Sequence, residues 1–182
     1  MIRPPRLPLL FLLTGMLLGL GGCPEEKIPE KKTGTVPSIT IERFQLTETK
    51  QGRRLWVLDA VTANVFSNLI QVDTVTIHFY NEQPTAYSVL NARQGTLNTT
   101  TRNIIVRDHV TMVTDDSSRL STDSLFWWND SQRIITDSYV RIIKPDSTLI
   151  EGNGLVTTPD LKKIEIIGTV KGASPIQFPK IR

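Results

Sequence analysis

The sequence contains one cysteine, Cys23, and two histidines, His78 and His109. A lone thiol closes no intrachain disulfide, and this set supplies neither a cysteine-rich zinc site nor a cysteine–histidine nucleophile pair. Nucleophile-elbow patterns such as G-x-S-x-G are also missing. The chain therefore reads as a non-enzyme with no metal and no cofactor. An excess of one charge is missing too. The formal net charge is +3, but Arg3 and Arg6 lie in a segment argued below to be removed, which leaves +1. So small a surplus gives no electrostatic footprint for nucleic acid. No sustained helical period follows residue 38, which argues against helical and α/β folds. What remains, at 21% charged and 39% hydrophobic residues in 182, is a chain that folds into one domain.

The N-terminus reads as an address. Arg3 and Arg6 precede a Leu-rich run over residues 7–20, and Leu20-Gly21-Gly22-Cys23 closes it. The run is shorter than the roughly 20 residues that cross a bilayer and ends in small residues, as a lipoprotein cleavage site requires. Residues 1–22 are thus expected to be a signal peptide, with Cys23 as the acylated N-terminus on the periplasmic face of a membrane. The alternative is an uncleaved transmembrane anchor. Residues 23–38, rich in Pro, Lys and Glu, read as a flexible tether spanning roughly 20 Å. Residues 39–174 form the expected folded domain and 175–182 a C-terminal tail.

Within the folded part, Thr, Val and Ile alternate with polar residues in short runs broken by Asp, Asn, Ser, Pro and Gly, which predicts an all-β fold. Ile104 to Leu125 aligns without a gap on Ile134 to Leu155, a step of 30, and Ile164 and Val170 open a third copy. The second half of the unit recurs upstream as Leu90-x-Ala92-x-x-Gly95 and Leu58-x-Ala60-x-x-Ala63, and the loop Asn81–Tyr87 lengthens the first hairpin. Turn signals stand at Asp115–Ser118, Asn129–Ser131 and Pro145–Ser147. Each unit is then a pair of strands that cannot bury its apolar face alone and stacks on the next. The expected architecture is an open, folded roll with two facing sheets.

The inward positions expected from the aligned apolar set are Val75, Ile77, Phe79, Leu90, Val106, Val110, Met112, Leu120, Leu125, Trp127, Val140, Ile142, Leu155, Ile166 and Val170. Arg107-Asp108-His109 and Asp137-Ser138-Tyr139 are where a strand is expected to bend from one sheet to the other. His109 beside Asp108 suggests acid–base chemistry only superficially, because adjacent strand residues point to opposite faces. Asp115-Asp116 reads as turn chemistry rather than a metal cluster, and Trp127-Trp128 as one inward and one outward aromatic.

Five pieces in order, Gly52 to Ala63 (GRRLWVLDAVTA), Val75 to Tyr80 (VTIHFY), Leu90 to Gly95 (LNARQG), Leu120 to Trp127 (LSTDSLFW) and Ile150 to Leu155 (IEGNGL), resemble the LptC family of lipopolysaccharide-export proteins, within the group sharing the LptA/OstA-like fold. The resemblance implies a twisted, slot-like β-jellyroll. Such a protein takes the acyl chains of lipopolysaccharide from an inner-membrane ABC transporter and passes them to a periplasmic bridge protein. The lipid-lining residues are then Val75, Ile77, Phe79, Val106, Val110, Met112, Leu120, Leu125, Trp127, Val140, Ile142 and Leu155. Ile164, Ile166, Gly168 and Val170 are the edge that docks the bridge. Well-studied family members keep an N-terminal transmembrane helix, whereas here the lipid anchor expected on Cys23 would replace it, and bends that often carry Gly-Asn read Asp108-His109 and Ser138-Tyr139. Arg53, Arg54, Arg93, Arg102 and Arg107 are candidates for sugar phosphates at the slot rim, although arginines on exposed strand faces ordinarily serve solubility. The competing reading is a structural or interaction lipoprotein of the same fold whose sheets close over a dry core.

Overall fold

The thirty-residue step has a geometric meaning in the computed structural model, which describes residues 36–173. The leader, Cys23, all of the tether before residue 36 and the tail 175–182 lie outside the described residues. Ten strands follow one another: β1 Ile39–Lys50, β2 Arg53–Val65, β3 Leu69–Phe79, β4 Ser88–Asn98, β5 Ile104–Thr114, β6 Arg119–Trp128, β7 Arg133–Ile143, β8 Leu149–Thr157, β9 Ile164–Ile166 and β10 Val170–Ala173. All pair antiparallel in one open sheet, in chain order from β1 to β8, with β9 and β10 both pairing with β8. Residues 30 apart flank the same residue of the strand between them. Ile104 and Ile134 both face Trp127, Val110 and Val140 both face Thr122, and Val140 and Val170 both face Gly152. The repeat is the width of two strands plus their turns.

The turns repeat as well. Thr114 N–H donates to Ser118 O at 3.0 Å, and thirty residues on Lys144 N–H donates to Thr148 O at 2.9 Å. Within each, an aspartate accepts the backbone N–H two residues later, Asp116 from Ser118 and Asp146 from Thr148, both at 2.9 Å. The next residue takes a left-handed conformation, Ser117 at φ 68° and Ser147 at φ 65°. Asp side chains that mimic a turn's own hydrogen bond make this the local preference of the sequence. Asp116 is held at a pKa of about 2, first by the Thr114 hydroxyl and then by the Ser118 backbone.

A line of irregularity crosses the sheet. The register slips by one residue at Arg107–Val110 of β5 and again at Thr136–Tyr139 of β7, the two places where bends were expected. Left-handed residues mark the same line at Arg43, Thr74, Asp108, His109 and Gly154. In the neighbouring strands the buried phase switches there, from Ala60 to Ala63, Val72 to Val75 and Ala92 to Gly95. The gap of two in the sequence motif is thus the crease. Gly95 has no room for a side chain: a Cβ there would stand 2.8 Å from Val72 Cγ2. At the bulge Asp108 and His109 do not point apart as a regular strand would place them; their side chains touch, and Arg93 lies 3.4 Å from the same carboxylate.

The last strand departs from expectation. Rather than one continuous edge from Ile164 to Val170, β9 and β10 are two pieces, because Ile166 faces Leu155 while Val170 faces Gly152, one residue out of step. The intervening Ile167-Gly168-Thr169 is the same crease reached by the final copy. Val170 sits at the predicted height yet is 54% exposed rather than inward, since no described strand lies beyond β10 to cover it.

Candidate functional site

The crease brings opposite strand ends together. Phe79 closes β3 and Trp127 nearly closes β6, and in an antiparallel meander these are opposite ends of the sheet. Along strands of about 11 residues those ends would lie roughly 35 Å apart if the sheet were flat. Their rings are 5.0 Å apart at 58°. The strands are therefore folded over, and the space between the two arms is the candidate site. One buried apolar cluster fills it. Of the predicted lining, Val75, Ile77 and Phe79 come from β3, Val106, Val110 and Met112 from β5, Leu120, Leu125 and Trp127 from β6, Val140 and Ile142 from β7 and Leu155 from β8. Each is at most 5% exposed, and all lie in that one cluster, with Leu90 beside them. Trp128, by contrast, is 45% exposed on the outer face, edge-on to Phe126.

Four contacts fasten one rim to the other. Glu48 at the end of β1 meets Arg102 at 3.5 Å. The Asn129 side-chain oxygen accepts the indole N–H of Trp56 at 3.0 Å and of Trp127 at 3.2 Å, tying β2 to the β6–β7 turn. Phe79 rests on Trp127, and Lys144 Nζ donates to Leu161 O at 2.6 Å above a fully buried Leu161 side chain. Burial of the Trp56 ring without that acceptor would strand an indole donor, so the Asn129 contact is structural as well as a closure. Trp56, Leu58, Leu97, Ile104, Ile134 and Leu161 belong to the interior although the sequence reading did not place them there. Ile104 and Ile134 carried the signal, as the first residues of two aligned copies. Leu161 carried none, because it stands in the β8–β9 loop with no periodic neighbour.

The predicted edge residues are less uniform. Ile164 and Ile166 are half-buried in β9, Gly168 lies in the crease and Val170 is exposed in β10. Ile167 N–H donates to Gly154 O at 3.1 Å, so by strand alternation the Ile166 N–H turns away from β8. Gly152 and Gly154 let this segment lie close: a Cβ on Gly152 would come 2.6 Å from Ile166 Cγ2, and one on Gly154 3.0 Å from Ile167 Cβ.

The arginines scatter. Arg53 pairs with Glu82 at 2.6 Å, Arg93 with Asp108 and Arg102 with Glu48, while Arg54 lies over the Tyr80 ring at 4.1 Å. Arg107 lines shallow outer-face cavities at the crease, of about 270 and 350 Å³. The Tyr87 phenol, near the mouth, is pushed up to about 12, by burial first and then by the Asp160 and Asp115 carboxylates, and so stays a neutral donor. Among the described residues no group of three or more His, Cys, Asp or Glu is placed to hold a metal ion.

No curated protein matches the chain. A family model does, the one described as lipopolysaccharide-assembly, LptC-related, over residues 7–174. That span takes in every described strand, the crease and the apolar interior, and by it the chain belongs to the LptC-related family of lipopolysaccharide-assembly proteins.

Proposed function

We propose that the chain carries the acyl part of lipopolysaccharide in the interior of its folded sheet. It receives the lipid from an inner-membrane ABC transporter at the β1 end and passes it to a periplasmic bridge protein at the β9–β10 end. Cys23, acylated after loss of residues 1–22, holds the protein on the periplasmic face of the inner membrane, the outer membrane being the alternative. Residues 23–38 set the folded part off the headgroups. Family membership supplies the export setting. The observation that carries the reading is the unbroken apolar lining, contributed by every strand from β2 to β8, inside a sheet whose two edges pair with no further strand among the described residues. A fatty chain of about 14 carbons gains on the order of 10 kcal/mol on leaving water, enough to offset parting the rims, whose fastenings are a few hydrogen bonds and one ion pair.

One observation favours a second reading, a structural lipoprotein with a dry core: Val110, Met112, Val140 and Ile142 are at most 1% exposed. Photo-crosslinking separates the two. A crosslinker at Met112 or Val140 labels lipopolysaccharide in cells if the arms open for lipid, and one at Thr111 or Arg141, exposed one residue along, does not. Equal labelling at all four positions, or none at Met112 and Val140, overturns the lipid-carrying reading.

A further inference from the structure

One cavity at the mouth carries a surplus of positive charge. About 360 Å³ in volume, it falls within the size range of small-molecule sites and is lined by Lys50, Arg53, Arg54, Tyr80, Tyr87 and Gln132 among others. Gln132 comes from the β6–β7 turn and the others from the opposite rim, so the cavity straddles the opening. Three cations face a single acid, Glu82, which is engaged with Arg53. Among the described residues no carboxylate pairs with Lys50 or Arg54. Arg54 is not loose, however: its guanidinium lies 4.1 Å from the Tyr80 ring centre and donates to Pro84 O at 3.5 Å. A guanidinium laid on an aromatic face keeps donors free along its edge at reduced entropic cost. Asp115 and Asp160, the carboxylates that act on Tyr87, do not line the cavity.

The cavity also adjoins the interior. Its lining residues Leu55 and Tyr87 pack against the buried apolar cluster to which Trp56 and Phe79 belong. An amphiphile whose head rested on Lys50 and Arg54 would have its chain begin beside that cluster. We propose that this cavity is the seat of a phosphate-bearing headgroup, in which Lys50 and Arg54 hold the phosphate oxygens of the lipid whose chains enter the interior. The proposal rests on the lipid-carrying reading and adds to it a place for the head. Of the arginines considered for this role, Arg93 and Arg102 are paired with acids away from the cavity and Arg107 lines other cavities at the crease, which leaves Arg54 as the recognising residue and Arg53 as a secondary contact.

The test uses membranes from cells expressing the full chain and two photoactivatable amphiphiles with the same diazirine-bearing chain. One has a phosphate monoester head and the other an uncharged glycoside. Labelled peptides are identified by mass spectrometry. The phosphate probe should label the peptides holding Met112 and Val140 at about tenfold lower concentration than the glycoside, the gain of a charge-assisted contact at a partly exposed site. Lys50→Ala with Arg54→Ala should bring that ratio to about one, and Lys50→Arg with Arg54→Lys, which keeps both charges, should retain most of it. Equal labelling of the wild type by both probes overturns the headgroup seat while leaving the lipid-carrying reading intact, as does a preference that survives the double alanine variant. Inorganic phosphate that binds the wild type and not the double alanine variant, together with equal labelling by the two probes, would assign the cavity to free phosphate and overturn the seat. Interior peptides labelled by neither probe would overturn the lipid-carrying reading and this proposal with it.

Discussion

The middle of the sheet and its two margins are built from the same alternation but end in different states. In β5, β6 and β7 the inward residues Ile104, Val106, Val110, Met112, Leu120, Leu125, Ile134, Val140 and Ile142 are at most 2% exposed. In β1 the corresponding Ile41, Phe44 and Leu46 are only half-buried, and β10 is exposed along its whole length. Composition does not separate them; neighbours do. A strand flanked on both sides and roofed by the opposite arm loses its apolar surface to water almost completely, whereas a margin has one flank and a partial roof. The margin β1 is held by its backbone ladder to β2 and by Ile41, Phe44 and Leu46 resting on the cluster, with the polar cross-strand pairs Thr40 to Asn64 at 2.8 Å and Gln45 to Asp59 at 2.7 Å on its exposed side. Stability therefore gathers in the middle, while at the edges backbone donors and acceptors have no strand partner among the described residues, and another strand can add there.

The sharpest way to break this comparison is to truncate one residue from each region. Phe79→Ala should cost about 3–5 kcal/mol in denaturant unfolding, through lost burial and the lost Trp127 contact, and Val170→Ala less than about 0.5 kcal/mol. Similar costs would mean that middle and margin share the load. Next in size is Gly152→Ala, whose new methyl group meets Ile166 and the Thr169 carbonyl. Its expected cost of about 1–3 kcal/mol falls on the margin alone. Hydrogen exchange should show the Ile167 and Gly168 amides losing protection while those of β5 and β6 keep theirs, and loss throughout the sheet would contradict a separable margin.

A pair of prolines sharpens the edge itself. Ile167→Pro removes the donor to Gly154 and should loosen β9 by about 1 kcal/mol. Ile166→Pro removes an outward donor, so circular dichroism should stay unchanged while pull-down of the bridge protein is lost. Wild-type capture by a folded Ile166→Pro variant would exclude this edge as the dock. The smallest effect concerns the repeated turn. The Asp116 pKa lies below its ordinary 3.8, at about 2, so its contribution is complete above 3.8 and is lost as pH falls through 2. The stability difference between wild type and Asp116→Asn should shrink over that window, and a difference that persists at pH 1.5 would show that the carboxylate charge plays no part.

Particular residues show how far the sequence could be read. Val110, Val140 and Val170 were placed at one height by spacing alone, and the ladder puts Thr122 and Gly152 between them. Yet Val140 is buried and Val170 exposed, because spacing describes position along a strand and not how many described strands flank it. Asp108 and His109 were expected on opposite faces, a rule that holds only while both residues keep extended dihedrals; at φ 65° and 54° they do not. The Asn129 clasp left no periodic trace, since an acceptor for two indoles is a relation between three residues and not a pattern along one strand.

Strand order, the thirty-residue register and the form of each turn were determined by the sequence, because all three arise from contacts between neighbouring strands and from aspartates bonding their own backbone. Only the tertiary structure decided which strand ends meet across the mouth, that Leu161 is buried there from a loop, and that Lys50 and Arg54 line one cavity with Gln132 of the opposite rim. Those contacts join residues as far apart as Trp56 and Asn129, 73 positions in sequence. Alternation states which face of a strand turns inward, and the arm that faces it is chosen only when the whole sheet folds along its crease.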